Sequence, residues 1–167
     1  MEANMYLALE KFKRLPLATI LAARNYGMDN ISAPPDAVSG AKLCMAVLRG
    51  DNQEMRNLLR LGANIDHQDA PDGWTPLIFS IYYGNTTATE ELIRHGANIS
   101  LCDFANRSPL MYAALRGKAD LIKELIELGA DPEQTDIHGK SALDFAREYS
   151  KDECIKILFQ EREKIYG

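Results

Sequence analysis

Few residues in this chain have the type and spacing that catalysis needs. Its three histidines, His67, His95 and His138, stand far apart, and no serine or cysteine lies at a motif spacing from them to serve as a nucleophile. His138 precedes a turn glycine and reads as an exposed turn residue. His95 precedes a helix-stopping glycine, where a cation is ordinary helix-dipole chemistry. Cys44, Cys102 and Cys154 fit neither a disulfide framework nor a zinc motif, so they read as buried structural thiols in a reducing compartment. No glycine-rich loop follows a strand to cradle phosphate; the glycines mark helix ends and turns. Among 24 acidic residues no spacing singles out an acid–base pair. The expectation is a non-enzymatic chain with no catalytic residue, cofactor or metal.

Composition narrows the partners. A net charge of −5 opposes binding along a phosphate backbone, so no nucleic-acid partner is expected. A hydrophobic content of 46% fits a folded chain, yet no apolar run is long enough to span a membrane. The N-terminus, with Glu2 and Glu10, lacks the basic and apolar regions of a secretory signal. A cytoplasmic location and no membrane partner follow as expectations.

The elements that position side chains repeat about every 33 residues. Ser108-Pro109-Leu110 opens a helix with Ser108 as N-cap and Pro109 at the first helical position. Leu110, Ala113 and Ala114 give that inner helix one apolar face, and Gly117 ends it. An outer helix from Ala119 to Leu128 is expected to bury Leu121, Ile122, Leu125 and Ile126, with Gly129 as its stop. Residues 130–138 then run out to a tight turn at Ile137-His138-Gly139. Ala46, Ser80, Ala113 and Ala146 occupy equivalent places, small enough for neighbouring inner helices to approach closely. A unit of this length cannot bury its own apolar face and must stack on its neighbours. Ahead of the repeats, Met5, Leu9, Phe12 and Leu15, then Leu17, Ile20 and Leu21, form helical stripes separated by Pro16. Residues 1–26 are therefore expected to be helical and to cap the first unit, joined by a turn-rich connector over Gly27–Ser39.

Gly73-Trp74-Thr75-Pro76-Leu77 with His95-Gly96-Ala97-Asn98, and Ser108-Pro109-Leu110 with Leu128-Gly129-Ala130-Asp131, resemble the ankyrin repeat. The resemblance covers about residues 39–165. It implies an all-α solenoid of stacked helix-turn-helix units with β-hairpin fingers at right angles. The division is an N-terminal cap and connector over 1–38, then four repeats over about 39–69, 70–102, 103–135 and 136–167. There are departures. The family's histidine after Pro-Leu, a polar tie between repeats, is Cys44, Ile78, Met111 and Asp144 here. The finger at Asp69-Ala70-Pro71-Asp72-Gly73 is one residue longer than the next, and Ser150 replaces the inner-helix glycine of the fourth repeat. The polar run Gln160–Lys164 suits a C-terminal cap. With Met1, it argues against a piece cut from a longer chain.

In the family, finger tips and the solvent-facing ends of inner helices contact partners. Carried over, these positions include Trp74, Tyr82 and Tyr83 in the second repeat and Phe104, Arg107, Leu115 and Arg116 in the third. The fourth offers His138, Lys140 and Tyr149. Trp, Tyr and Arg dominate interface energetics because they bury much area at little entropic cost. The expected function is a protein-binding adaptor, monomeric when unbound, that uses its concave face. Trp74, Tyr82, Tyr83 and Phe104 are the expected anchors, with Arg107 and Arg116 directed at an acidic or carbonyl-rich partner. Alternative classes are an inhibitor, immunity or effector protein that occludes a partner enzyme and, last, an enzyme with an unadvertised site.

Overall fold

The computed structural model describes residues 35–166. Eight α-helices occur among them, as four inner–outer pairs. These are α1 (Pro35–Arg49) with α2 (Asn52–Arg60), α3 (Pro76–Tyr83) with α4 (Thr86–Arg94), α5 (Pro109–Arg116) with α6 (Ala119–Glu127), and α7 (Ala142–Glu148) with α8 (Asp152–Tyr166). The helical cap expected over residues 1–26 lies outside the described residues. Part of the expected connector is corrected: α1 already starts at Pro35, so residues 35–39 are helical rather than turn. Proline is tolerated in a first helical turn, where its missing N–H leaves nothing unpaired.

Local chemistry sets the helix ends. Thr75, Ser108 and Ser141 are extended, and each hydroxyl accepts the N–H three residues on, at Ile78, Met111 and Asp144. Pro76 and Pro109 follow the first two caps. The third has no proline and uses a capping box, in which the Asp144 carboxylate accepts the Ser141 N–H at 2.9 Å. Asp144 thus turns the family's histidine position into a helix start. The inner helices α3 and α5 end in Gly84 and Gly117 at φ 74° and 69°. Ser150 takes the same left-handed place after α7 at φ 52°, with the same pair of backbone bonds closing the turn.

The inner helices pack side by side along the stack, each also against its own outer helix. Leu43, Leu77, Leu110 and Leu143 are buried at equivalent inner positions, and Leu58, Leu92, Leu125 and Leu158 at equivalent outer ones. Ala46, Ser80, Ala113 and Ala146 are buried between the inner helices as expected. In α6, Ile122 and Leu125 are buried, whereas Leu121 and Ile126 are only half-buried. Cys44 and Cys154 are buried, but Cys102 is half-exposed. Its Sγ lies 3.0 Å from Gln134 Nε2 and its carbonyl accepts Gln68 Nε2 at 2.9 Å, so it joins successive fingers.

No β-strand forms among the described residues, so the expected β-hairpin fingers are reduced to turns. Single antiparallel bridges pair Asp69 with Trp74 and Thr135 with Ser141. Neighbouring fingers are linked by one backbone bond each, Phe104 N–H to Asp72 O at 2.8 Å and Ile137 N–H to Ala105 O at 3.0 Å. Among the described residues no helix is long and apolar enough to cross a membrane.

Candidate functional site

Each finger opens on an aspartate, and the three aspartates behave differently. Asp103 is buried, and its Oδ1 accepts the N–H groups of Ala105 at 2.9 Å and Arg107 at 2.8 Å. Its Oδ2 accepts Arg107 Nε and the Tyr112 hydroxyl, both at 2.7 Å. Asp136 is buried too and accepts the N–H groups of His138 and Lys140, both at 2.9 Å, with no ion pair to its carboxylate among the described residues. In the longer first finger the residue two places beyond Asp69 is Pro71, which has no N–H to offer. Among the described residues no hydrogen bond reaches the Asp69 carboxylate, and His67 Nε2 lies 3.9 Å from it. Burial pushes its acid strength down, to a pKa of about 6.

The fingers and inner helices assemble one aromatic cluster across the second and third repeats. Trp74 lies with ring centroids 4.8 Å from Tyr82, and 5.3 Å from both Phe79 and Tyr112. Tyr83 meets Tyr82 edge-on at 5.2 Å and stacks on Phe79 at 6.4 Å. Edge-to-face pairs of this kind add about 0.5–1.5 kcal/mol each beyond the area they bury. Arg107 sits over Tyr112, and Arg116 over Tyr82, each with its guanidinium carbon 5.4 Å from the ring centre. Burial, with the neighbouring Tyr82 adding to it, pushes the Tyr83 phenol up to about 12, while Arg116 pulls the other way. Burial and the bond to Asp103 push the Tyr112 phenol far higher. Both phenols stay neutral donors near neutral pH.

This geometry distributes the expected contact residues unevenly. Trp74, Tyr82, Tyr83, Arg107 and Arg116 do come together. Trp74, however, is half-buried and packed against the core rather than projecting, and its Nε1 has no acceptor among the described residues. The Arg107 guanidinium is occupied by Asp103, whereas exposed Arg116 meets no carboxylate among the described residues. Phe104 is 63% exposed yet lies against the turn, close enough that a Cβ on Gly73 would sit 2.4 Å from its ring. Leu115 is half-buried against the core. Lys140 closes on Glu148 at 2.6 Å, and it, exposed His138 and Tyr149 stand outside the ring cluster. Sequence reasoning missed Tyr112 and Phe79. Asp103 and Arg107 four apart were a readable pair, but nothing local announced the Tyr112 hydroxyl between them. A cleft of about 470 Å³ lies between α4 and α6, lined by Thr86, Glu90, Lys118 and Glu124 among others.

The repeat geometry and the comparisons agree. A model described as ankyrin repeats (3 copies) matches residues 43–136 and 105–166. The chain belongs to the ankyrin-repeat family. It is also 28% identical over 85 residues to the phosphate system positive regulatory protein PHO81 of Saccharomyces cerevisiae, an alignment covering 48% of this chain and 7% of the yeast protein. The chain thus spans a small part of that relative's length. Ankyrin repeats are in general protein-interaction modules, and the family is generally non-enzymatic.

Proposed function

We propose that this ankyrin-repeat chain is a non-enzymatic, cytoplasmic adaptor that captures a folded protein on the face formed by its inner-helix ends and finger tips. Its contact residues concentrate at the junction of the second and third repeats, within four units bounded near 39–69, 70–102, 103–135 and 136–167. The observation that carries this reading is the pairing of a rigid aromatic floor with reachable groups beside it. Phe104 is mostly exposed, and Arg116 is held over Tyr82 with no carboxylate of its own among the described residues. A preorganised arginine on an aromatic ring loses little entropy on binding, which is what an interface anchor requires.

In this reading Phe104, Tyr83 and Arg116 make contact, while Trp74, Tyr82, Tyr112 and Arg107 hold the floor in shape. The double variant Phe104→Ala, Arg116→Glu tests it. Neither residue is buried, so circular dichroism and the urea midpoint are expected to stay near those of the unaltered chain. A partner captured by the unaltered chain from native lysate is expected to be lost. Retention of the same partner by the folded double variant refutes the assignment.

A further inference from the structure

Asp69, whose carboxylate accepts no hydrogen bond among the described residues, sits at the foot of the turn that carries Trp74. Asp69 donates its backbone N–H to the Trp74 carbonyl at 2.9 Å and accepts the Gly73 N–H at 2.8 Å. The same turn offers the Asp72 carbonyl to Phe104, and Gly73 lies under the Phe104 ring. Whatever moves Asp69 therefore acts on Trp74 in the floor and on Phe104 among the contact residues of the proposed surface. The carboxylate is 17% and the His67 side chain 19% exposed, so both are mostly out of water. His67 is wedged against α1, where a Cβ on Gly40 would sit 2.5 Å from its ring.

The groups facing Asp69 are few. His67 comes from its own finger. Among the described side chains of α1, only the Cys44 thiol is in electrostatic reach of it, and burial first, with Asp69 second, keeps that thiol protonated. Helix α3 has no titratable residue before Tyr82 and Tyr83, which are engaged in the ring cluster. From the next finger Asp103 and Arg107 close on each other, and Asp72 acts on Arg107 and Tyr112.

We propose that the Asp69–His67 pair is an acid-responsive hinge, in which uptake of one proton resets the 69–74 turn and with it the seats of Trp74 and Phe104. At 3.9 Å the two side chains are too far apart for a hydrogen bond. With the neutral His67 ring carrying its N–H on Nδ1, one proton taken up from solvent on Asp69 Oδ1 gives the carboxyl an O–H to donate to His67 Nε2. The bond it makes draws Asp69 toward His67. Asp103 and Asp136 have no such freedom, because two backbone N–H groups hold each carboxylate in place. Burial lifts Asp69 to about 6, so the carboxyl gains a proton on mild acidification, while burial pulls His67 below its ordinary value.

The device matters for function through the protein-binding reading above, but its test needs no partner, so the two fail separately. Trp74 is the chain's single tryptophan, and its emission reports the turn directly. Emission and circular dichroism are followed from about pH 8 to about pH 4.5. The unaltered chain is expected to show an emission transition centred near pH 6 while its helical signal stays constant. Asp69→Asn is expected to lose that transition, and His67→Gln to shrink it. A flat profile in the unaltered chain, or an unchanged transition in folded Asp69→Asn, overturns the proposal.

Discussion

Replacing Asp103 by alanine is expected to be the most costly change among the finger aspartates. The carboxylate is buried and closes four hydrogen bonds, two to backbone N–H groups, one to Arg107 Nε and one to the Tyr112 hydroxyl. A second guanidinium nitrogen of Arg107 lies 2.7 Å from the same Oδ2. Breaking a buried ion pair from one side costs about 3–5 kcal/mol, because the partner charge is left unmatched. Arg107 tempers this figure, since its side chain is 32% exposed and can recover water. Tyr112 cannot, because it is buried and its hydroxyl loses Asp103 as its acceptor, at about 1–3 kcal/mol. The expected loss for Asp103→Ala is about 3–4 kcal/mol, a large share of a total that is typically 5–15 kcal/mol. Asp136→Ala removes two backbone bonds and no ion pair, so about 1–2 kcal/mol is expected. Urea unfolding followed by circular dichroism and Trp74 emission measures both. If Asp103→Ala loses no more than Asp136→Ala, at an unchanged denaturant slope, the network does not stabilise the third repeat in the way argued.

Three further outcomes follow from local geometry. Ser150 holds a left-handed conformation at φ 52° on the surface, where glycine stands in all three earlier repeats, so Ser150→Gly is expected to add about 1 kcal/mol to stability in urea unfolding. Lys118 caps α6 at φ −90°, ψ 74° without any side-chain bond, while Asn85 in nearly the same conformation accepts from Ala88. Lys118→Asn is expected to add about 0.5–1 kcal/mol to thermal or urea stability. Asp69 has a folded pKa of about 6, above its ordinary 3.8, so the folded chain binds more protons between those values. Its favourable contribution is complete below about pH 4 and is lost as pH rises through about 6. Asp69→Asn should flatten the stability profile in that window and raise stability at neutral pH by no more than ~3 kcal/mol, a result that urea midpoints measured across it would show or deny.

The stack was legible because its signals are local. Ser108-Pro109 caps a helix through bonds spanning three residues, and small residues such as Ala113 mark close helix contacts without reference to anything distant. The site was only half legible. Family positions pointed to Trp74 and Tyr82, but Trp74's burial depends on Phe79 and Tyr112, one of them in the next repeat. Arg107 read as a free contact because nothing in its own segment shows how deeply Asp103 is buried. The fingers read as hairpins by family analogy, yet each turn is too short for more than one bridge, and aspartate side chains do the work of a ladder in two of them.

The departures from the repeat are not spread evenly, and their placement bears on where a partner would engage. In the fourth repeat every departure is closed locally: Asp144 completes a capping box, Lys140 meets Glu148, and Asp136 holds its own turn. At the junction of the second and third repeats several groups are left without partners among the described residues. Pro71 deprives Asp69 of a donor, the Trp74 indole N–H has no acceptor, and Arg116 has a ring beneath it but no anion beside it. Unpaired polar groups cost stability, and a stack that satisfies them in one repeat has the means to satisfy them in another. That contrast within one molecule favours the junction over the fourth repeat as the binding surface. It also puts Asp69, lifted by burial to about 6, at the foot of the turn that seats Trp74 and Phe104.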